Sequence, residues 1–308
     1  MRKTSLNCVY ELAKSDEKVV FVGSDLGPGV LDEFKNEFPD RFFMEGIAEQ
    51  HAVGMAAGLA MEGFVPYVNT IATFLTRRCF EQNVLDLGLH NTNVRLIANG
   101  GGVVYAPLGP THLAIEDIAI MRSIPNMSII APCDADEMKR LMMQTKDYQG
   151  PIYIRLGKGF DPIVSEESLE CKIGKNILIA EGDDILFVTT GITLKLAIQA
   201  RENLKESNIN AGIIHCHTLK PFDEDSIIDS LNQCPYIITI EEHLVNGGLG
   251  SICAELIAEN SFDVPVKLKR IGISDHFPHG YGSQEHMMKR NGISSEHATI
   301  AAKKLLGN

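Results

Sequence analysis

Glu49 opens a stretch rich in Gly54, Ala56, Ala57, Gly58 and Ala60, residues small enough for another backbone to approach closely. A carboxyl group in the first turn of a helix either complements the helix dipole or serves as a proton-sharing group facing a ligand. Asn99–Asp117 is a second chemically suggestive run, with Gly100, Gly101 and Gly102 in a row and Thr111 and His112 a few residues on. The glycines suit a turn, Thr111 suits a helix cap, and His112 is either a satisfied loop histidine or a proton relay. Arg77 follows Phe74 by three residues and shares its face if the segment is helical. Arg2 and Arg155 are further guanidinium groups with the bidentate geometry that anions favour. Asp25 and Leu26 stand where an apolar run ends, the place where open α/β sheets put ligand contacts.

The elements that must position these groups alternate in type. A mixed helix near Ser5–Lys14 precedes a strand at Val19–Val22. A helix over Glu49–Met61, strands at Val65–Val68 and Val94–Ala98, and a helix over Leu113–Arg122 follow. A strand at Met127–Ala131 leads to Asp134 and Glu137, a capping pair opening a helix through Thr145, and Ile152–Arg155 closes the series. Such alternation predicts a mostly parallel sheet covered on both faces. Composition turns to Gly, Pro, Ser and Glu after Gly157, and the linker is placed at residues 161–174. The first domain is then 1–160 and the second 175–308. The second repeats the α/β pattern with strands at Ile185–Thr190, Ala211–His215, Tyr236–Ile240 and Val266–Ile271.

Composition narrows the function classes. Hydrophobic residues at 44% and charged residues at 22% suit a globular chain of 308 residues. A net charge of -12 argues against nonspecific nucleic-acid binding. No apolar run reaches membrane-spanning length and the first residues lack a secretory core, so a cytoplasmic location is expected. Seven scattered cysteines without a C-x-x-C pair suit reduced thiols, and no local spacing indicates a metal site. His276 and His279 read as loop residues, and His215, His217 and His243 as structural ones.

The run IAEQHAVGMAAGLA, followed by ATFLTRR, resembles the pyrimidine-binding domain of transketolases and of 1-deoxyxylulose-5-phosphate synthase. EEHLVNGGLGS at 241–251 resembles the C-terminal domain of transketolases and of 2-oxoacid dehydrogenase beta subunits. The resemblance implies a thiamine-diphosphate-binding fold of the pyrimidine type followed by a transketolase C-terminal-type domain. It implies that Glu49 hydrogen-bonds the cofactor's aminopyrimidine, that Phe74 stacks on that ring with Ile71 beside it, and that Asp25, Leu26 and Arg77 lie near the cofactor. GPTH resembles the loop whose histidine meets substrate oxygens, which makes His112 catalytic and substrate-binding. Arg2 and Arg155 fall where the family grips a sugar phosphate.

Departures accompany the match. Leu108 stands where transketolases usually carry an aspartate that reads hydroxyl configuration, and Gly29 and Gly100 replace a serine and a histidine. The magnesium and diphosphate ligands, a GDG motif followed by Asn, are missing, because GDD at Gly182–Asp184 runs directly into a predicted strand. The expectation is therefore the C-terminal subunit of a split transketolase, assembled as a heterotetramer with a chain holding magnesium and the diphosphate. Its reaction would transfer a ketol unit from a ketose, expected to be a phosphate, to an aldehyde. A dehydrogenase beta subunit, a 1-deoxyxylulose-5-phosphate synthase-like enzyme and a noncatalytic assembly partner are the alternatives.

Overall fold

The computed structural model describes residues 1–24, 31–157, 159 and 161–307. The strands, in chain order, are β1 Val19–Gly23, β2 Phe42–Met44, β3 Val65–Ile71, β4 Arg95–Asn99, β5 Ser128–Ile130, β6 Ile152–Leu156, β7 Ile177–Ala180, β8 Ile185–Thr189, β9 Ala211–His215, β10 Thr218–Lys220, β11 Tyr236–Leu244 and β12 Lys267–Ile273. Among the described residues they form a sheet ordered β10-β5-β6-β4-β3-β1-β2 and a second ordered β12-β11-β8-β9-β7. Pairing is parallel except where β10 meets β5 and β7 meets β9. This is the mostly parallel α/β architecture that the alternating pattern predicts.

Side chains alternate across each sheet, so consecutive residues enter different cores. Phe21 and Val22, Leu96 and Ile97, and Ile213 and Ile214 each split in this way between two apolar clusters. Both clusters run through both sheets. Strands covered on both faces read as continuous apolar runs, which is why β1, β4, β6, β8 and β9 are buried along their length.

Several elements depart from expectation, the short strands β2 and β7 among them, since neither was anticipated. The segment predicted as a helix from Leu113 is helical only over Asp117–Arg122. Ala114 instead exchanges backbone hydrogen bonds with Gly102, pinning the glycine loop. Strand β10 was not anticipated: it leaves the second half of the chain and adds to the first sheet, with Thr218 opposite Ile130. Predicted and observed bounds agree for the helix Glu49–Met61 and for the helix ending at Thr145. At the latter, Asp134 Oδ1 accepts from the backbone N–H of Asp136 and Glu137 at 3.0 and 2.9 Å. Glu137 reaches back to the N–H of Cys133 at 2.6 Å.

A buried polar network joins the halves. Val103 N–H donates to Glu242 Oε1 at 2.9 Å, and Gln284 Nε2 donates to both carboxyl oxygens at 3.0 Å. Glu241 accepts from the N–H groups of Leu249 and Gly250, each at 2.8 Å, at the start of the helix Leu249–Glu259. Burial lifts the Glu242 carboxyl from 4.5 to about 7, against the pull of Arg155. Because folding raises this pKa, the group's contribution to stability is full below 4.5 and is lost as pH climbs through 7. Urea midpoints taken from about pH 5 to about pH 8 should therefore fall for the parent chain and fall less for Glu242→Gln, and parallel declines in the two would refute this assignment.

Candidate active site

A cleft of about 330 Å³ opens beside the carboxyl ends of β1, β3 and β4, lined by Arg2, Ile47, Glu49, Thr70, Ile71, Phe74, Asn99 and Tyr105. Thr70 and Ile71 end β3 and Asn99 ends β4, so the parallel strands deliver these residues to one rim. A larger surface depression of about 700 Å³ lies at the opposite rim, where Lys18, Arg41 and Phe64 immediately precede strands. Open parallel sheets seldom use that end for ligands.

Glu49 occupies the first turn of the helix Glu49–Met61, and Ala52, Val53, Ala56 and Ala57 are the buried side of that helix. Its carboxylate is 2% exposed and has two partners. Ser24 Oγ donates to Oε1 at 3.0 Å, and Arg78 Nη1 donates to Oε2. The Arg78 guanidinium also lies 4.5 Å from the Phe74 ring centroid and is 42% exposed, so one partner of the buried acid reaches water. Phe74 begins a π-helical turn, Phe74–Arg78. Such turns are rare and frequently occur at functional sites, although a second one, Asn83–Leu89, lies outside the cleft lining.

The wide turn decides which arginine lies over Phe74. A helical i, i+3 relation nominated Arg77, but Arg77 turns away to pair with Glu116, its Nη2 donating to Oε2 at 2.8 Å. In the wider turn Arg78, four residues after Phe74, lies over the ring. His112, in the turn Pro110–His112, stands edge-on to Phe74 with centroids 5.3 Å apart. Its Nδ1 lies 2.9 Å from Thr111 Oγ1.

Arg155 does not reach the cleft. It is 7% exposed, its Nε donates to Asp117 Oδ2 at 2.7 Å, and its Nη2 donates to the Glu242 carbonyl at 2.9 Å. Tyr153 donates to the same Asp117 oxygen at 2.7 Å. A guanidinium neutralised by a buried carboxylate has little left for an external anion, so the expected phosphate grip by Arg155 gives way to a structural role. Arg2 does line the cleft, and its Nε is buried without a partner among the described residues. Asn99 Oδ1 is in the same condition. Buried polar atoms rarely remain unpaired, and these two line the same cleft. Asp25, Leu26 and Gly29 lie outside the described residues.

Tyr105 is a cleft residue that sequence reasoning missed. Gly100 has φ +77°, and a Cβ there would sit 2.1 Å from the Tyr105 ring. The glycine thus makes room for the tyrosine, and the triplet of glycines was the available signal. Leu108 is 54% exposed. Asp183 and Asp184 accept hydrogen bonds from Asn210 at 2.8 and 2.7 Å, so GDD serves the turn before β8.

Residues 1–160 match the family model "Transketolase, pyrimidine binding domain" and residues 174–297 match "Transketolase, C-terminal domain". The chain belongs to the transketolase family. Among its relatives is an apulose-4-phosphate transketolase subunit of Phocaeicola vulgatus, 38% identical, covering 89% of this chain and 87% of that protein. Another is the 6-deoxy-6-sulfo-D-fructose transketolase subunit of Clostridium sp. strain MSTE9, 32% identical, covering 98% and 93%. A solved structure described as the inactive beta4 tetramer of a split-gene transketolase is 32% identical, superposes with a TM-score of 0.91, and covers 99% of this chain and 98% of that one.

The two readings of Arg155 separate experimentally. Arg155→Met strands a buried carboxylate and should cost about 3–5 kcal/mol in urea unfolding. An unchanged unfolding midpoint would show that Arg155 is not a structural cation.

Proposed function

We propose that this chain is the C-terminal subunit of a split transketolase, transferring a two-carbon ketol unit from a ketose phosphate to an aldehyde. In this reading a second chain carries the diphosphate-binding domain with magnesium, and two copies of each make a heterotetramer. The observation that carries it is the buried Glu49 carboxylate in a cleft also lined by the Phe74 ring and by the unpaired polar atoms of Arg2 and Asn99. That arrangement fits an aminopyrimidine, which needs a carboxyl partner for a ring nitrogen and an apolar surface for its face. Thiamine diphosphate, when bound, supplies a nucleophilic carbon and an electron sink for breaking a carbon–carbon bond beside a carbonyl.

In that reaction the chain's own residues have separate tasks. Glu49 holds a proton at the ring nitrogen and Ser24 fixes the carboxylate in place. Phe74 and Ile71 give the ring its apolar bed. His112, edge-on to Phe74, donates to or relays a proton from a substrate oxygen. Arg2 holds the anionic tail, and an exposed Leu108 leaves hydroxyl configuration unread at that position. The relatives' names couple the split arrangement to sugars bearing a phosphate or a sulfonate, which supports an anionic donor. Ile47 at 76% exposure, Leu89 at 70% and Leu85 at 44% support a surface covered in the assembly.

Reconstitution tests the reading. With the diphosphate-binding chain, cofactor and magnesium supplied, Glu49→Gln should lower kcat for ketol transfer by roughly 10²–10⁴-fold. Full turnover in the substituted pair would remove the proposed mechanism.

A further inference from the structure

A second cluster of chemically capable side chains lies away from the cleft, where both halves of the chain and the segment between them meet. Glu137 is in the first turn of the helix Ala135–Thr145, Cys171 is in the segment between the sheets, and His217 immediately precedes β10. Their ligand atoms lie within 4.8 Å of one another. Glu137 is 1% exposed and His217 0%. Glu137 Oε1 and His217 Nε2 are both buried without a hydrogen-bond partner among the described residues.

Every other polar atom on these two side chains is already held. Glu137 Oε2 accepts from the Cys133 N–H at 2.6 Å and lies 3.1 Å from His215 Nε2. His215 Nδ1 in turn lies 3.1 Å from Thr189 Oγ1. His217 Nδ1 is 2.9 Å from Thr218 Oγ1, and with the proton on Nδ1 the Nε2 lone pair is left free to bind. The backbone around Cys171 is fixed as well: Gln144 donates to the Cys171 carbonyl at 2.8 Å and accepts from Ile173 N–H at 3.1 Å. Two buried atoms left bare on oriented side chains, in a cluster with a thiol on a pinned backbone, describe a centre awaiting an electron-pair acceptor.

We propose that Glu137, Cys171 and His217 bind a zinc-class divalent cation that fastens the segment between the domains to both of them. Oxygen, sulfur and nitrogen donors together favour zinc over magnesium or calcium, which prefer all-oxygen shells. Small side-chain rotations bring the observed spread to metal–ligand bonds of roughly 2.0–2.3 Å, with a water completing the tetrahedron. On binding, the Cys171 S–H bond breaks, the sulfur's electron pair passes to the metal, and the proton leaves to solvent through the partly exposed side of Cys171. No local spacing announces such a site, because its ligands come from three separated segments.

Cobalt(II) titration of the chelator-stripped full chain tests the proposal, since cobalt reports thiolate ligation by a charge-transfer band. One equivalent per chain should produce that band, added zinc should abolish it, and Cys171→Ser and His217→Gln should each weaken zinc binding by about 100-fold or more. Cys171→Ser lies on a partly exposed segment and remains decisive should His217→Gln fail to fold. Absence of the band, or zinc affinity unchanged in Cys171→Ser, would overturn the site.

Discussion

A carboxylate taken out of water must be met by donors, and the cleft is organised around how Glu49 meets that requirement. Ser24, just past β1, fixes one oxygen, and Arg78, from a widened helical turn, meets the other. The two partners differ in kind. Ser24 is buried in the sheet's rim, whereas Arg78 is exposed to solvent and stacked on Phe74. A ligand bearing its own donor can replace the exposed partner while the buried one holds the carboxylate in register. The same side chain can thus be satisfied both with and without a ring nitrogen beside it.

The rest of the molecule keeps that rim in place. β3 and β4 end at the cleft, and the glycine loop after β4 is tied to Ala114 and, through Val103, to Glu242 of the second half. Asp117, Arg155 and Tyr153 fill the space behind that loop with paired charge. Strand β10 then stitches the second half into the first sheet, and Asp134 accepts from Val164 and Ser165 N–H groups at 2.8 and 2.7 Å to fix the intervening segment.

What was legible in the sequence follows from local physics. The helix Glu49–Met61 announced its extent by small and helix-forming residues, and the Asp134–Glu137 cap announced the next. Strands buried on both faces showed as apolar runs. The helix expected from Leu113 failed at its start because a nonlocal bridge to Gly102 outcompeted local propensity. β10 was hidden because so short a strand before a proline carries no periodicity, and its partner β5 lies in the other half of the chain. Arg77 was named because an i, i+3 spacing presumes an α-helical turn, while the chain makes a π-helical one that places Arg78 over the ring. Arg155 looked like an anion anchor because its buried counterion, Asp117, comes from a distant helix.

The central claim is that the Glu49 carboxylate serves a thiamine pyrimidine whose diphosphate is held by another polypeptide. The most direct measurement is a structure of this chain assembled with its diphosphate-binding partner, cofactor and magnesium. The account predicts Glu49 within hydrogen-bonding distance of the aminopyrimidine nitrogen, Ser24 still on the carboxylate, and Arg78 released from it. A complex in which Arg78 stays on Glu49 while the pyrimidine lies elsewhere would contradict it.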